Sequence, residues 1–330
     1  MIRAITMTGP DRIPWRSATW QGAHKKYGQA LAELYGRYPT DLLFVRSRDE
    51  RDPHVERMPV GTVRVDRWGC QWARASDDTI AYQVGHPLDS WDALKDYRFP
   101  EPLWEDFERV ARAIREDQGK HYVLVDGSTL FQRMWRLRGM ENTLIDLIDY
   151  REEIYRLRDR ILNSWILPRI ERWGEIGVDG AHFRDDWGTQ RQLMVRPSLW
   201  RSFFKPAYQR IVDAVHAAGA FMHFHTDGAV QEILPDLIEM GVDLVNIQGA
   251  IMGIQNLGKE IGGNVCVEGD IDRQLILPHG TPKEVEAHVC EYVSAFGTYN
   301  GGFTAYVQVA PDVPLANVEA ALRTLWEIQC

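Results

Sequence analysis

Cysteine is scarce and unpatterned in this chain. Its four residues, Cys70, Cys266, Cys290 and Cys330, form no Cys-x-x-Cys pair and no dense framework among 330 residues. That excludes a disulfide-stapled secreted module. No apolar run approaches the roughly 18 residues of a membrane-spanning helix. The opening segment MIRAITMTGPDRIPW lacks the apolar centre of a secretory leader. A cytoplasmic protein with reduced thiols and no membrane partner is expected. Positive charge is in deficit: 38 Lys and Arg stand against 47 Asp and Glu, a net charge of -9. Such a surface disfavours nucleic acid, although a locally basic pocket could still take a small anionic substrate. No Gly-x-Gly-x-x-Gly or P-loop turn follows any apolar run, and Ser128 does not sit in a Gly-x-Ser-x-Gly elbow. The signatures of nucleotide-binding sheets and of triad hydrolases are therefore missing. Low-complexity tracts and repeats of solenoid period are absent as well.

What is present is ordinary globular material, with 45% hydrophobic and 26% charged residues. Apolar runs ending in polar groups recur at 41–46, 121–127, 177–188, 219–228, 242–249, 264–272 and 303–312. Amphipathic stretches fall between most of them, at 141–176, 197–218, 229–240, 281–296 and 314–328. This alternation predicts parallel strands with helical crossovers. Short, evenly spaced strands with polar C-terminal ends favour a (β/α)8 barrel of the α/β class over an open sheet. We expect one domain over 1–330, with a turn-rich excursion at about 50–100 over the barrel mouth. Pro206 and Pro235 fall inside helical patterns and should split them. Trp15, Trp68, Trp72 and Trp187 sit near Gly, Pro or charges, which reads as rim packing before it reads as an aromatic cleft.

The densest chemical segment is His223-Phe224-His225-Thr226-Asp227-Gly228. On a strand, His223, His225 and Asp227 share a face, and two imidazoles with a carboxylate can bind zinc or another divalent metal, or relay protons. His223 lies deeper and is the better structural candidate. A second segment, His182 to Gln190, offers Asp186 and then Asp185 as acid/base, ligand or substrate anchor. Arg184 and Trp187 are its candidate substrate contacts, and an Arg184–Asp pair that merely closes the barrel is the plainer account. Glu268 in Glu268-Gly269-Asp270-Ile271-Asp272 could complete a metal site with His225, Asp227 and His223, while Asp270 or Asp272 could equally cap a helix. Tyr306 and Gln308 share a face of the last strand and could line the pocket.

Several segments taken together resemble the uroporphyrinogen decarboxylase-like superfamily, most closely its corrinoid-dependent methyltransferase-related branch. They are PDRIPW (10–15), DRWGCQW (66–72), GHPLDSWDALKDYRFP (85–100), LFQRMWRLRGMENTLIDL (130–147), DDWGTQ (185–190), FFKPAYQRIVDAVHAAG (203–219), HTDG (225–228), LPDLIEMGVDLVNIQ (234–248), EGDID (268–272) and DVPLANVEAAL (312–322). The resemblance implies a (β/α)8 barrel with its site at the C-terminal mouth. In the zinc methyltransferases of that superfamily a His-x-Cys-Gly motif supplies two ligands and a later Cys a third. His225 matches the first position, Asp227 stands in place of the thiolate, and Gly301-Gly302 occupies the later region. A His/Asp/Glu set is harder than a thiolate set and suits activation of an oxygen. The resemblance therefore implies methyl transfer from a small donor, such as a methoxylated aromatic, to a corrinoid on a partner protein. The alternatives are a carboxy-lyase acting on a tetrapyrrole, for which the N-terminal arginines are not evident because Arg12 reads as part of a turn, and a non-catalytic corrinoid or small-molecule binding protein.

Overall fold

The computed structural model describes residues 1–46, 55, 58–76 and 81–328. Parts of the 50–100 excursion and Cys330 lie outside the described residues. The strands are β1 (Trp15–Thr19), β2 (Leu42–Val45), β3 (Val63–Val65), β4 (Gln71–Ala73), β5 (Tyr82–Gly85), β6 (Tyr122–Asp126), β7 (Gly180–Arg184), β8 (Phe221–Thr226), β9 (Leu244–Ile247), β10 (Cys266–Asp270) and β11 (Phe303–Val309). Eight of them form one parallel sheet in the order β1-β11-β10-β9-β8-β7-β6-β2. Between its ends, Thr40 Oγ1 donates to the Trp15 carbonyl at 2.6 Å, so the sheet curls into a nearly closed barrel. The fold is the (β/α)8 barrel that the alternation predicted.

The barrel strands β6, β9 and β10 are buried along their whole length, on both faces, as parallel strands under helical crossovers must be. β8 shows the two-sided pattern. Phe224 meets Tyr208 of helix Lys205–Ala217 edge-on outside the barrel, and His223 and His225 point inward to Tyr122 and Asn246. The floor is apolar, built by Ile5, Leu42, Tyr122, Leu124, Leu244 and Cys266. Above it lies a polar layer in which Arg16 of β1 donates from Nε and Nη2 to Glu268 of β10. No helix among the described residues is long and apolar enough to cross a membrane.

Local departures from the sequence expectations have local causes. β1 lies in a stretch that reads as a turn, because Pro10, Arg12 and Pro14 precede it; the prolines end before Trp15, and the strand pairs Trp15 with Ala305. The stretch 141–176 is no single helix. It comprises Met140–Ile148, Glu152–Ile161, a wide π turn at Leu162–Ile166 and Leu167–Ile176, with Tyr150 at φ 54 interrupting it. Pro206 and Pro235 act as expected: each sits in the first turn of a new helix, Lys205–Ala217 and Leu234–Glu239. The excursion carries the small antiparallel sheet β3-β4-β5. It packs on helix Phe131–Arg138, where Cys70 Sγ donates to the Arg136 carbonyl and Leu88 N donates to Leu137 O. It therefore stands beside the mouth, on the side where the barrel strands end.

Candidate metal centre at the barrel mouth

Strands β7 and β8 pair in register with Arg184 opposite His225. The pairing continues past their ends. Asp185 N donates to His225 O at 3.0 Å, and Gly188 N donates to Asp227 O at 2.9 Å. This sets Asp186 beside Asp227. Glycine at both 188 and 228 permits the approach: a Cβ on Gly228 would stand 2.2 Å from the Gly188 carbonyl carbon, and Gly228 has φ +88. Two loops thus deliver Asp186, His225 and Asp227 to one spot, with one ligand atom from each lying within 4.8 Å of the others. His225 Nε2 lies 3.5 Å from Asp186 Oδ1 and 3.6 Å from Asp227 Oδ1. Ligand bonds of about 2.0–2.2 Å around a tetrahedral ion give ligand–ligand separations of roughly 3.3–3.6 Å. The three groups therefore fit a divalent cation in both spacing and donor type, and their partial exposure leaves open positions toward solvent.

Neighbouring groups aim these side chains. Asn246 Nδ2 donates to the Glu268 carbonyl at 2.9 Å, which leaves its Oδ1 as an acceptor facing His225 Nδ1 at 2.6 Å. This assigns the proton of His225 to Nδ1 and turns the Nε2 lone pair toward Asp186 and Asp227. Gln132 Nε2 donates to Asp186 Oδ2 at 2.6 Å, and Asp227 N lies within 3.3 Å of Asp186 Oδ1. Arg273 Nη2 donates to Asp227 Oδ1 at 2.5 Å and its Nη1 donates to Gln308 Oε1 at 2.7 Å. Asp270, buried beside it, lies 3.3 Å from Arg273 Nη1, yet neither of its oxygens makes a hydrogen bond. Burial pushes the Asp270 carboxyl up to about 8, opposed by Arg273 and reinforced by Asp227.

The other sequence candidates stand elsewhere. His223 does not join the cluster: its ring is buried below the mouth, its Nε2 lies 2.8 Å from Tyr122 Oη, and burial drives its pKa down to about 3. Glu268 is engaged by Arg16 in a buried pair and touches the site only through Asn246. Asp185 faces away from the mouth. It accepts from the amides of Leu130, Phe131 and Gln132 and from Tyr208 Oη, so it caps helix Phe131–Arg138. Burial pushes Asp185 up to about 6 against the pull of those bonds. Trp187 is fully buried and stacks on Phe131 at 4.2 Å, so it packs the barrel wall and cannot touch a ligand at the mouth. Arg184 pairs with Asp126. Tyr306 lies under Arg16 at 4.3 Å, and Gln308 reaches the rim through Arg273.

Sequence reasoning missed Arg16, Gln132, Asn246 and Arg273. Asn246 lay in plain view on β9, opposite His225 in the ladder. Arg273 follows Asp270 by one loop turn and carries no motif of its own.

The family model for uroporphyrinogen decarboxylase (URO-D) matches residues 104–327. No curated protein sequence matches. Among solved structures the chain is similar to a methyltransferase from Methanosarcina mazei, at 17% identity over 98% of this chain and 96% of that one, with a TM-score of 0.69. It is also similar to a B12-independent methionine synthase from Shewanella in complex with selenomethionine, at 11% identity over 92% and 85% of the two chains, with a TM-score of 0.54. At such identities the likeness is one of fold.

Proposed function

The chain belongs to the uroporphyrinogen decarboxylase family, and from that premise we propose that it is a metal-dependent methyltransferase, moving a methyl group from a small methoxylated donor to a corrinoid on a partner protein. One observation carries the reading: Asp186, His225 and Asp227 present nitrogen and carboxylate oxygen to a common point at the open end of the barrel. This donor set suits zinc or another divalent cation that takes oxygen ligands readily. When bound, such an ion supplies Lewis acidity to the donor's ether oxygen.

The chain's own residues do the rest. His225 and the two carboxylates fix the position of the charge. Asn246 holds the His225 ring so that its lone pair is already turned to the mouth, which removes a reorganisation cost. Gln132 steadies Asp186, which we place among the ligands and not as a free acid/base. The methyl carbon passes to cobalt(I) while the bonding pair of the C–O bond stays on the departing oxygen, so this step consumes no proton. Gln308, held by Arg273 at the rim, flanks the place a small donor would occupy.

The charge at the mouth weighs against the carboxy-lyase reading. A tetracarboxylate needs free cations, whereas Arg16 is bound by Glu268, Arg184 by Asp126 and Arg273 by Asp227. Asp186 adds a carboxylate with no guanidinium opposite it among the described residues, so the well is suited to gaining a cation. The test is metal analysis of protein purified without chelator, followed by incubation with cobalt(I) corrinoid protein and a panel of methoxylated compounds. One equivalent of divalent metal and appearance of methylcobalt(III) are expected. Metal-free protein, inert toward every donor but converting uroporphyrinogen III to coproporphyrinogen, would overturn the proposal.

A further inference from the structure

Among the described residues, Arg273 is the guanidinium at the mouth with a carboxylate partner in the metal cluster, Asp227, beside a second one, Asp270, at 3.3 Å. Its Nη2 donates to Asp227 Oδ1, the same oxygen that faces His225 Nε2 at 3.6 Å. That oxygen cannot serve a divalent ion and a guanidinium equally, because the ion draws its charge and repels the nearby cation. An ion bound through that oxygen therefore weakens the hold of Asp227 on Arg273. Gln308 Oε1, a neutral acceptor, remains on Nη1. Asp270 remains as well, but it lies 3.3 Å away without hydrogen-bond geometry and is 3% exposed, with both oxygens unpartnered. Arg16 and Arg184 keep their own carboxylates, Glu268 and Asp126, in either state. Among these described arginines it is Arg273 that then offers a fork of N–H donors, and its side chain is 20% exposed, so a small molecule in the mouth can reach it. A planar guanidinium fork matches a carboxylate in two parallel bonds.

We infer that Arg273 is the substrate-anchoring residue of this site: clasped to Asp227 in the cation-free protein, it turns to a carboxylate on the methyl donor once a divalent ion occupies the cluster, and the donor class is small methoxylated carboxylic acids. The inference rests on the reading that Asp186, His225 and Asp227 hold the ion, and it adds both a ligand class and an order of binding, ion first and acid second.

Calorimetric titration separates the two ideas. Zinc is titrated into the wild-type protein and into Arg273→Gln and Arg273→Lys, with thermal melting to confirm that each variant is folded. The zinc-loaded proteins are then titrated with 4-methoxybenzoate and with its neutral analogue 4-methoxybenzamide. Loss of the competing guanidinium should tighten zinc binding in Arg273→Gln by roughly fivefold or more. Zinc-loaded wild type should prefer the acid over the amide by about tenfold or more. The zinc-free protein should show no preference, Arg273→Gln should lose it, and Arg273→Lys should keep part of it. Zinc binding with equal affinity for acid and amide, or an acid preference that survives in Arg273→Gln, would overturn this inference and leave the metal reading standing. Failure of the wild-type protein to bind zinc would overturn both.

Discussion

His223 and His225 stand two residues apart on one strand, on one face, and belong to different chemical worlds. The deep layer around His223 is closed. Tyr122 meets its ring, Arg16 and Glu268 neutralise each other nearby, and dry surroundings keep the imidazole uncharged down to about pH 3. The rim around His225 is open on one side, and its nitrogen faces two carboxylates whose side chains are partly exposed, 37% at Asp186 and 33% at Asp227. The difference teaches what a barrel strand does. A rise of about 3.3 Å per residue carries a side chain from a sealed interior to the solvent boundary in two steps. The deep layer holds the barrel together, and the rim is free to bind.

That division can be broken from the deep side first. Replacing Glu268 with Ala leaves Arg16 charged and buried without a carboxylate, held by its 3.4 Å bond to Asn246 Oδ1 and its stacking on Tyr306. We expect a loss of about 3–5 kcal/mol in urea unfolding, the largest of the effects predicted for these two layers, and a double change to apolar residues of similar volume should recover much of it. A loss within experimental error would mean that water reaches the layer and that it is not sealed.

At the border between the layers stands Asn246, which touches Glu268 O on one side and His225 Nδ1 on the other. Asn246→Ala should weaken cation affinity about 10–100-fold with a smaller effect on unfolding. Unchanged affinity would show that His225 needs no help in aiming its lone pair. His223→Ala should do the reverse, costing about 2–3 kcal/mol in stability from lost packing and a lost hydrogen bond while cation affinity holds.

The last effect is the one with pH, spread over about two pH units. The folded protein keeps His223 neutral to about 3, far below the ordinary value of 6.5. Between those values the unfolded chain binds a proton that the folded chain refuses, so the stability owed to this group is whole above pH 6.5 and is lost as pH falls toward 3. Wild type should therefore lose more stability than His223→Gln between pH 6 and pH 4, by up to about 1.4 kcal/mol per pH unit. Asp185, pushed up to about 6, acts with the opposite sign, but it is common to both proteins and cancels in the difference. Parallel pH curves for the two proteins would mean that His223 is hydrated.

The barrel was legible because its strands are apolar runs and its helices amphipathic, and because polar residues gather where strands end. The inward alignment of His223, His225 and Asp227 followed from strand period alone, as did the suspicion that the deeper histidine is structural. What stayed hidden depended on partners distant in sequence. Asp185 and Asp186 look alike in the chain, yet one caps helix Phe131–Arg138 and the other meets His225, because strand alternation turns them to opposite sides. Trp187 looks like a rim aromatic until Phe131, Phe204 and Tyr208 close around it. β1 hid behind two prolines and with it Arg16, whose partner Glu268 is 252 residues away. Arg273 could not be read from its neighbours, since its role depends on Asp227 across a strand boundary.

The central claim is that the rim of the barrel holds a divalent ion through one imidazole and two carboxylates. X-ray absorption on protein loaded with one equivalent of cobalt(II) tests it most directly. The account predicts a shell of nitrogen and oxygen scatterers with the outer-shell signature of a single imidazole, lost in His225→Ala and kept in His223→Ala. Sulfur in the first shell, two imidazoles, or a signal indifferent to His225 would contradict it.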